Sequence, residues 1–74
     1  MGRGGSRRLI WDRGDSPSSR VAQALGLEHF EVRRAIHKIK ARANLRGPDR
    51  VTIYDNGDVT DDRGDDIGNI FYDK

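Results

Sequence analysis

From Glu28 to Ala43 the chain sets Val32, Ala35, Ile36, Ile39 and Ala43 at the spacing of one helical face. That spacing predicts an amphipathic helix over residues 28–43, and the rest of a short chain must supply the surface that covers its stripe. At about 100° per residue, His29, Lys40, Arg33 and His37 fall along one flank of the stripe. Arg34 and Lys38 take the far, solvated side, and Arg42 lies toward the opposite border. Glu28 and Glu31 open the helix and cations close it, as the helix dipole favours.

The charge is strongly polarised along the chain. Residues 1–50 hold 12 Arg and Lys against 5 Asp and Glu, a balance of +7, and residues 51–74 hold 2 against 7, a balance of −5. The net +2 hides this asymmetry, which is a statement about partners and not about fold. With 74 residues, 34% hydrophobic and 35% charged, the chain is expected to be one small domain with a marginal core. A domain of this size buries only roughly 60% of its unfolded surface. Cysteine is absent, which excludes disulfides and thiolate sites. No apolar run approaches the length of a membrane span, and no signal-peptide pattern is present. Residues 1–7 read as a linker or artificial leader, which suits a piece taken from something longer, and residues 8–74 as a single α+β domain.

Within that domain, Arg8-Leu-Ile-Trp-Asp12 is a strand or a docking segment, with Trp11 as a core anchor. Ser16 as N-cap, Pro17 at the first helical position and Gly26 as a stop frame a helix over residues 17–25. Val21, Ala22 and Leu25 form its apolar side, and Leu27 packs back on it. Asn44 to Pro48 ends the second helix. Val51-Thr-Ile-Tyr54 alternates as a half-buried strand, and Asp55-Asn-Gly57 is a hairpin turn. Asp58-Val-Thr60 returns, Asp61-Asp-Arg-Gly64 turns again, and Ile67–Tyr72 makes a third strand. The expected architecture is two helices packed on a three-stranded antiparallel β-meander.

The best chemical constellation is His37 with Arg33 and Lys40. Metal-free RNA cleavage needs a base for the 2′-hydroxyl, an acid for the leaving oxygen and cations for the charged transition state. A histidine one helical turn from Arg and Lys suits that work; the plainer reading is a solvated helix edge that happens to be basic. His29 is a second candidate acid or base, against an incidental helix-start histidine. Arg33, Arg34, Lys38, Lys40, Arg42, Arg46 and Arg50 make a cationic footprint for phosphates. Tyr54, Thr52, Asn69 and Tyr72 are placed outward on the sheet, where a tyrosine stacks on a base. Arg-Gly-Asp at 13–15 and 63–65 reads as coincidence. Residues 55–62 lack the glycine position and closing glutamate of a calcium-binding EF-hand loop. No metal ligand set or cofactor motif is expected.

Two family resemblances follow from these segments. Residues 18–35, Ser-Ser-Arg-Val-Ala-Gln-Ala-Leu-Gly-Leu-Glu-His-Phe-Glu-Val-Arg-Arg-Ala, resemble a helix-turn-helix, with Val21, Ala22, Leu25, Gly26, Leu27, Val32 and Ala35 at its apolar, small and turn positions. Residues 1–16 offer no preceding helix for its trihelical core, although the hairpin tail would serve as a wing. Arg34–Lys40, Asn44–Asp49, Val51-Thr-Ile, Asn56–Val59 and Asp65–Phe71 together resemble the C-terminal toxin modules of bacterial polymorphic toxins of the contact-dependent inhibition and Rhs-like classes. That resemblance runs from residue 20 to the end of the chain. It implies a ribonuclease toxin domain used in interbacterial competition, delivered into the target-cell cytoplasm and neutralised by an acidic immunity protein. It also implies an RNA substrate, tRNA among the candidates, with His37 and its basic neighbours as the active edge. The helix-turn-helix resemblance implies instead a cytoplasmic DNA-binding regulator without enzymatic activity, and a nonenzymatic protein-interaction module is a third reading.

Overall fold

Val32, Ala35, Ile36 and Ile39, the inner stripe of the long helix, are all buried. They are buried because a four-stranded antiparallel sheet and two further helices surround them. The computed structural model describes residues 7–11, 18–46 and 49–74. In chain order these form β1 (Leu9–Trp11), α1 (Ser18–Leu25), α2 (His29–Arg42), β2 (Thr52–Tyr54), β3 (Asp58–Thr60), β4 (Asp66–Asn69) and α3 (Ile70–Asp73). The strands lie in the order β1-β2-β3-β4. Residues 1–6 of the expected leader, the Ser16–Pro17 cap, the first Arg-Gly-Asp and Gly47–Pro48 lie outside the described residues, while α2 ends at Arg42 ahead of Asn44, at φ 63°, where the helix end is expected.

The α+β class agrees with the sequence expectation, while two details are corrected. The meander gains a fourth strand, because Leu9 and Trp11 pair with Tyr54 and Ile53 across a register shift. The segment from Ile67 to Tyr72 is not one strand. It stays extended only to Asn69 and then becomes α3. The cause is local: the Asn69 side chain accepts a hydrogen bond from the Phe71 backbone N–H at 2.9 Å. An asparagine that supplies this bond is a helix cap, and it ends the strand that contains it. The Ile70 N–H donates to the Gly57 carbonyl at 2.8 Å, which ties α3 to the β2–β3 turn.

The core joins Val21 and Ala22 of α1, the α2 stripe, Val51, Ile53, Val59 and Ile70, with Trp11, Leu25, Leu27, Leu45 and Ile67 packed around it. Leu27 turns back as expected, its N–H donating to the Ala22 carbonyl at 2.9 Å. A capping box starts α2, with the Glu28 N–H donating to Glu31 Oε1 at 3.0 Å. Side chains alternate across a sheet. Burial of Ile53 and Val59 against the helices therefore sends Tyr54 and Asp58 to the opposite, open face.

Two glycines are required by close approach. Gly57 sits at φ 91° in the hairpin turn, and a Cβ there would come within 2.6 Å of the Phe71 ring. At Gly68 on β4, a Cβ would lie 2.6 Å from Ile39 Cγ1 and 2.9 Å from its Cδ1. The long helix thus rests on bare backbone at Gly68. Gly68→Ala is expected to lower unfolding stability by about 1–3 kcal/mol, the usual cost of overpacking a filled core. Urea denaturation of the two proteins measures it, and an unchanged midpoint would show that Ile39 can move aside.

Candidate nucleic-acid interface

With its inner stripe committed to the core, α2 turns Arg33, Arg34, His37 and Lys38 to solvent, all exposed. Phe30, 59% exposed, shares this outer surface, and the Arg34 guanidinium lies 5.5 Å from its ring centroid. Such stacking orients a guanidinium while leaving its N–H fork free. His37 makes no hydrogen bond or ion pair among the described residues, so its ring is available but nothing holds it in one orientation.

The remaining members of the expected site are dispersed. Lys40 is half-buried, and that burial lowers its ammonium pKa, opposed by the charge of Asp49. Arg42 donates to both carboxylate oxygens of Asp73, each at 2.9 Å, and binds α3 to α2. A two-pronged pair of this kind holds both groups in place, which sets Arg42 apart from the cations free to meet phosphate. Arg46 and Arg50 are exposed beyond the end of α2. Tyr54 is half-buried beneath the Arg7 guanidinium, 4.1 Å from its ring centroid. Tyr72 is 89% exposed on α3. Tyr54 is thus engaged by Arg7, and Tyr72 is open to solvent.

His29 is placed differently from His37. Its Nε2 lies 3.5 Å from Ser19 Oγ, at the outer limit of a hydrogen bond, and it borders a cleft against α1. Eight residues separate the two histidines, a rise of about 12 Å along the helix. Their side chains also leave the axis in directions about 80° apart. The two rings are not arranged to serve one phosphate as an acid–base pair.

Two groups of functional interest were not expected from the sequence. Arg20 of α1 is exposed, and it belongs to no basic run that would single it out. Arg7, assigned above to the leader, crosses the open face of the sheet. It donates to Asp58 at 2.9 Å and to Asp66 at 3.2 Å. Asp58 also accepts from Asn69 at 2.9 Å and from Asn56 at 3.1 Å. Period-two alternation alone marks Asp58 as outward-facing, but no local signal pairs it with a residue 51 positions away.

Arg7, Arg42 and Lys74 are engaged in ion pairs with acidic side chains. Arg33, Arg34 and Lys38 of the outward row make no such pair among the described residues, although the charge of Lys38 helps to lower the Asp73 carboxyl. No group of histidines and acids among the described residues could hold a metal ion. Nor is any described helix long and apolar enough to cross a membrane. No protein-family model matches the chain, and neither a curated protein nor a solved structure matches it.

The carboxylates at the sheet end are held below their ordinary values. For Asp58, burial alone would raise the carboxyl, and the bonds from Asn69, Arg7 and Asn56 outweigh it. Asp73 is lowered first by Arg42, against burial, and Asp61 first by the Asp65 backbone N–H, against burial. A carboxyl lowered by folding stabilises in full above its unfolded value and loses that contribution as pH falls toward the folded one. The protein is therefore expected to keep full stability at neutral pH and to weaken as pH drops below about 3.9, the ordinary aspartate value. Asp58→Asn should lower stability at neutral pH and flatten the acid decline. Urea midpoints measured from neutral to acidic pH test this, and an equally steep decline in the variant would reject the role of Asp58.

Proposed function

We propose that this domain is a toxin-type ribonuclease that binds RNA along the outer surface of α2 and cleaves it without a metal. The observation that carries the reading is the partition of cations. Arg7, Arg42 and Lys74 are engaged by acidic partners within the fold, whereas Arg33, Arg34 and Lys38 stand exposed, with no ion pair among the described residues, beside an exposed histidine. An unpaired cationic row suits a phosphate backbone, because binding releases the counterions condensed on it. His37, within the row, is the candidate acid or base. As a base it takes the 2′-hydroxyl proton while the 2′-oxygen attacks phosphorus, the bond to the 5′-oxygen breaks, and the departing 5′-oxygen takes a proton from water. Arg33 steadies the phosphate charge, and Lys40, half-buried one turn away, adds to the local positive potential. An acidic immunity protein covering this row is the partner the reading implies.

A DNA-binding regulator is the second reading, and one observation favours it. Helices α1 and α2 are joined through residues 26–28, with Gly26 at φ 71°, and a β-hairpin follows. Against it, recognition helices read bases with their N-terminal residues. Here that end carries Glu28 and Glu31, locked to each other in a capping box, and their charges would face phosphates.

Purified protein is expected to degrade total RNA or tRNA in EDTA. His37→Ala should reduce the rate about 10²–10⁴-fold, the usual share of general acid–base catalysis, while leaving the fold intact by circular dichroism. Undiminished cleavage by that variant removes His37 from the chemistry. Binding should also weaken steeply with salt, and Arg34→Ala or Lys38→Ala should each reduce the log–log slope by about 0.7 on single strands. A protected footprint on duplex DNA with no cleavage of any RNA would establish the regulator instead.

A further inference from the structure

Trp11 at the end of β1, Ser19, Arg20 and Gln23 on α1, and Leu27 with His29 at the start of α2 line an open cleft of about 700 Å³. A shallower hollow of about 390 Å³ shares Arg20 and Gln23 and continues over Leu9, Ile10 and Ala24. The two form one groove across α1 and β1, on ground that the outer row of α2 does not occupy. We propose that this cleft is a nucleotide subsite that takes one nucleotide of single-stranded RNA, an assignment whose ligand rests on the ribonuclease reading.

The lining supplies each group that such a ligand requires. Its size lies within the range of about 300–1,000 Å³ of small-ligand sites, and its lining is more polar than apolar, which suits a phosphorylated ligand. Trp11 and Leu27, both half-buried, form an apolar wall for the face of a base. The Gln23 amide offers a donor and an acceptor together, the combination that reads a base edge. Arg20 lies three residues before Gln23, so both leave the same side of α1. Arg20 forms no ion pair among the described residues, which leaves its guanidinium free for phosphate. His29, held near Ser19 at 3.5 Å, adds a hydrogen-bonding nitrogen at the lip. The adjoining hollow beside Leu9, 48% exposed, gives a neighbouring nucleotide a path out of the cleft.

Titration of the intact protein with adenosine monophosphate, followed by heteronuclear NMR, tests the assignment. The expected result is movement of the Trp11 indole, Gln23 side-chain and His29 resonances. Adenosine without phosphate should bind more weakly, and inorganic phosphate alone should leave Gln23 unmoved. Arg20→Ala should weaken binding about tenfold, the worth of one charge-assisted hydrogen bond. Gln23→Leu, which keeps the side-chain bulk, should weaken it while the remaining spectrum stays folded. Resonance changes confined to Arg33, Arg34 and Lys38, or none in the millimolar range, would overturn the subsite. So would RNA cleavage with unaltered KM and kcat in both variants, which would leave the ribonuclease reading intact. Nucleotide binding in the cleft of a protein that cleaves no RNA supports the subsite and discards the ribonuclease.

Discussion

The seat of Ile39 on the backbone of Gly68 is the contact on which the arrangement of this protein depends. A side chain at Gly68 would hold α2 away from β4, since a Cβ would come within 2.6 Å of Ile39. With that seat in place the inner stripe is fixed, and the outer row of α2 must point to solvent. The same place couples packing to charge. The Arg42 Nη2 would lie 3.0 Å from a Cβ at Gly68, and it reaches the Ile67 carbonyl at 3.4 Å and Asp73 at 2.9 Å. A four-residue helix such as α3 has too few internal bonds to persist alone. Arg42 with Asp73 and Glu31 with Lys74 at 3.7 Å anchor it to α2, while the Ile70 N–H anchors it to the hairpin.

The charge asymmetry of the chain acquires a structural explanation on its acidic side. Asp58 and Asp66 receive Arg7, and Asp73 receives Arg42. Asp55 accepts the Arg8 backbone N–H, Asp61 accepts those of Arg63 and Asp65, and Asp49 accepts that of Arg46. These carboxylates close turns and tie the amino-terminal segment to the far side of the sheet, so their abundance follows from turn chemistry. In the outer row of α2, Arg33, Arg34 and Lys38 make no ion pair among the described residues; Arg34 rests on Phe30 and Lys38 acts on Asp73 through its charge alone. The partner signal in this sequence therefore resides on the helical side, and net charge is a poor guide to it.

What the sequence makes legible is local and periodic. The α2 stripe, the α1 apolar side with Leu27 folding back, and the Asp55-Asn-Gly57 hairpin all rest on interactions within a few residues. The losses have a different physical origin. Three residues of β1 carry too short a pattern to separate a strand from a docking segment, and only pairing with β2 decides it. The stretch Ile67–Tyr72 alternates well enough to pass as one strand, yet a single Asn69 side-chain bond to Phe71 redirects the backbone. Arg7 looked like part of a leader because its partners are dozens of residues away. In the site, helical periodicity gathered His29, Arg33, His37 and Lys40 on one flank but could not foresee their neighbours. Lys40 is half-buried and feels the charge of Asp49, and α1 walls a cleft beside His29.

That last difference bears on how one helix can present two kinds of surface. A convex face such as the one around His37 can collect phosphates by charge, but solvent reaches every group on it, and Coulomb interactions there are weak and screened. A concave face such as the one beside His29 removes water from part of a ligand, so each hydrogen bond there discriminates more strongly. On the proposed reading, affinity and salt dependence belong to the outer row, and selection among bases belongs to the cleft. Both surfaces are carried by α1 and α2, whose junction is fixed by the Leu27–Ala22 hydrogen bond and by shared burial of Val21, Ala22, Val32 and Ile36. The spacing between the surfaces is therefore set by the core and not by a loop. A strand that engages both must match a distance that Ile39 and Gly68 help to hold constant.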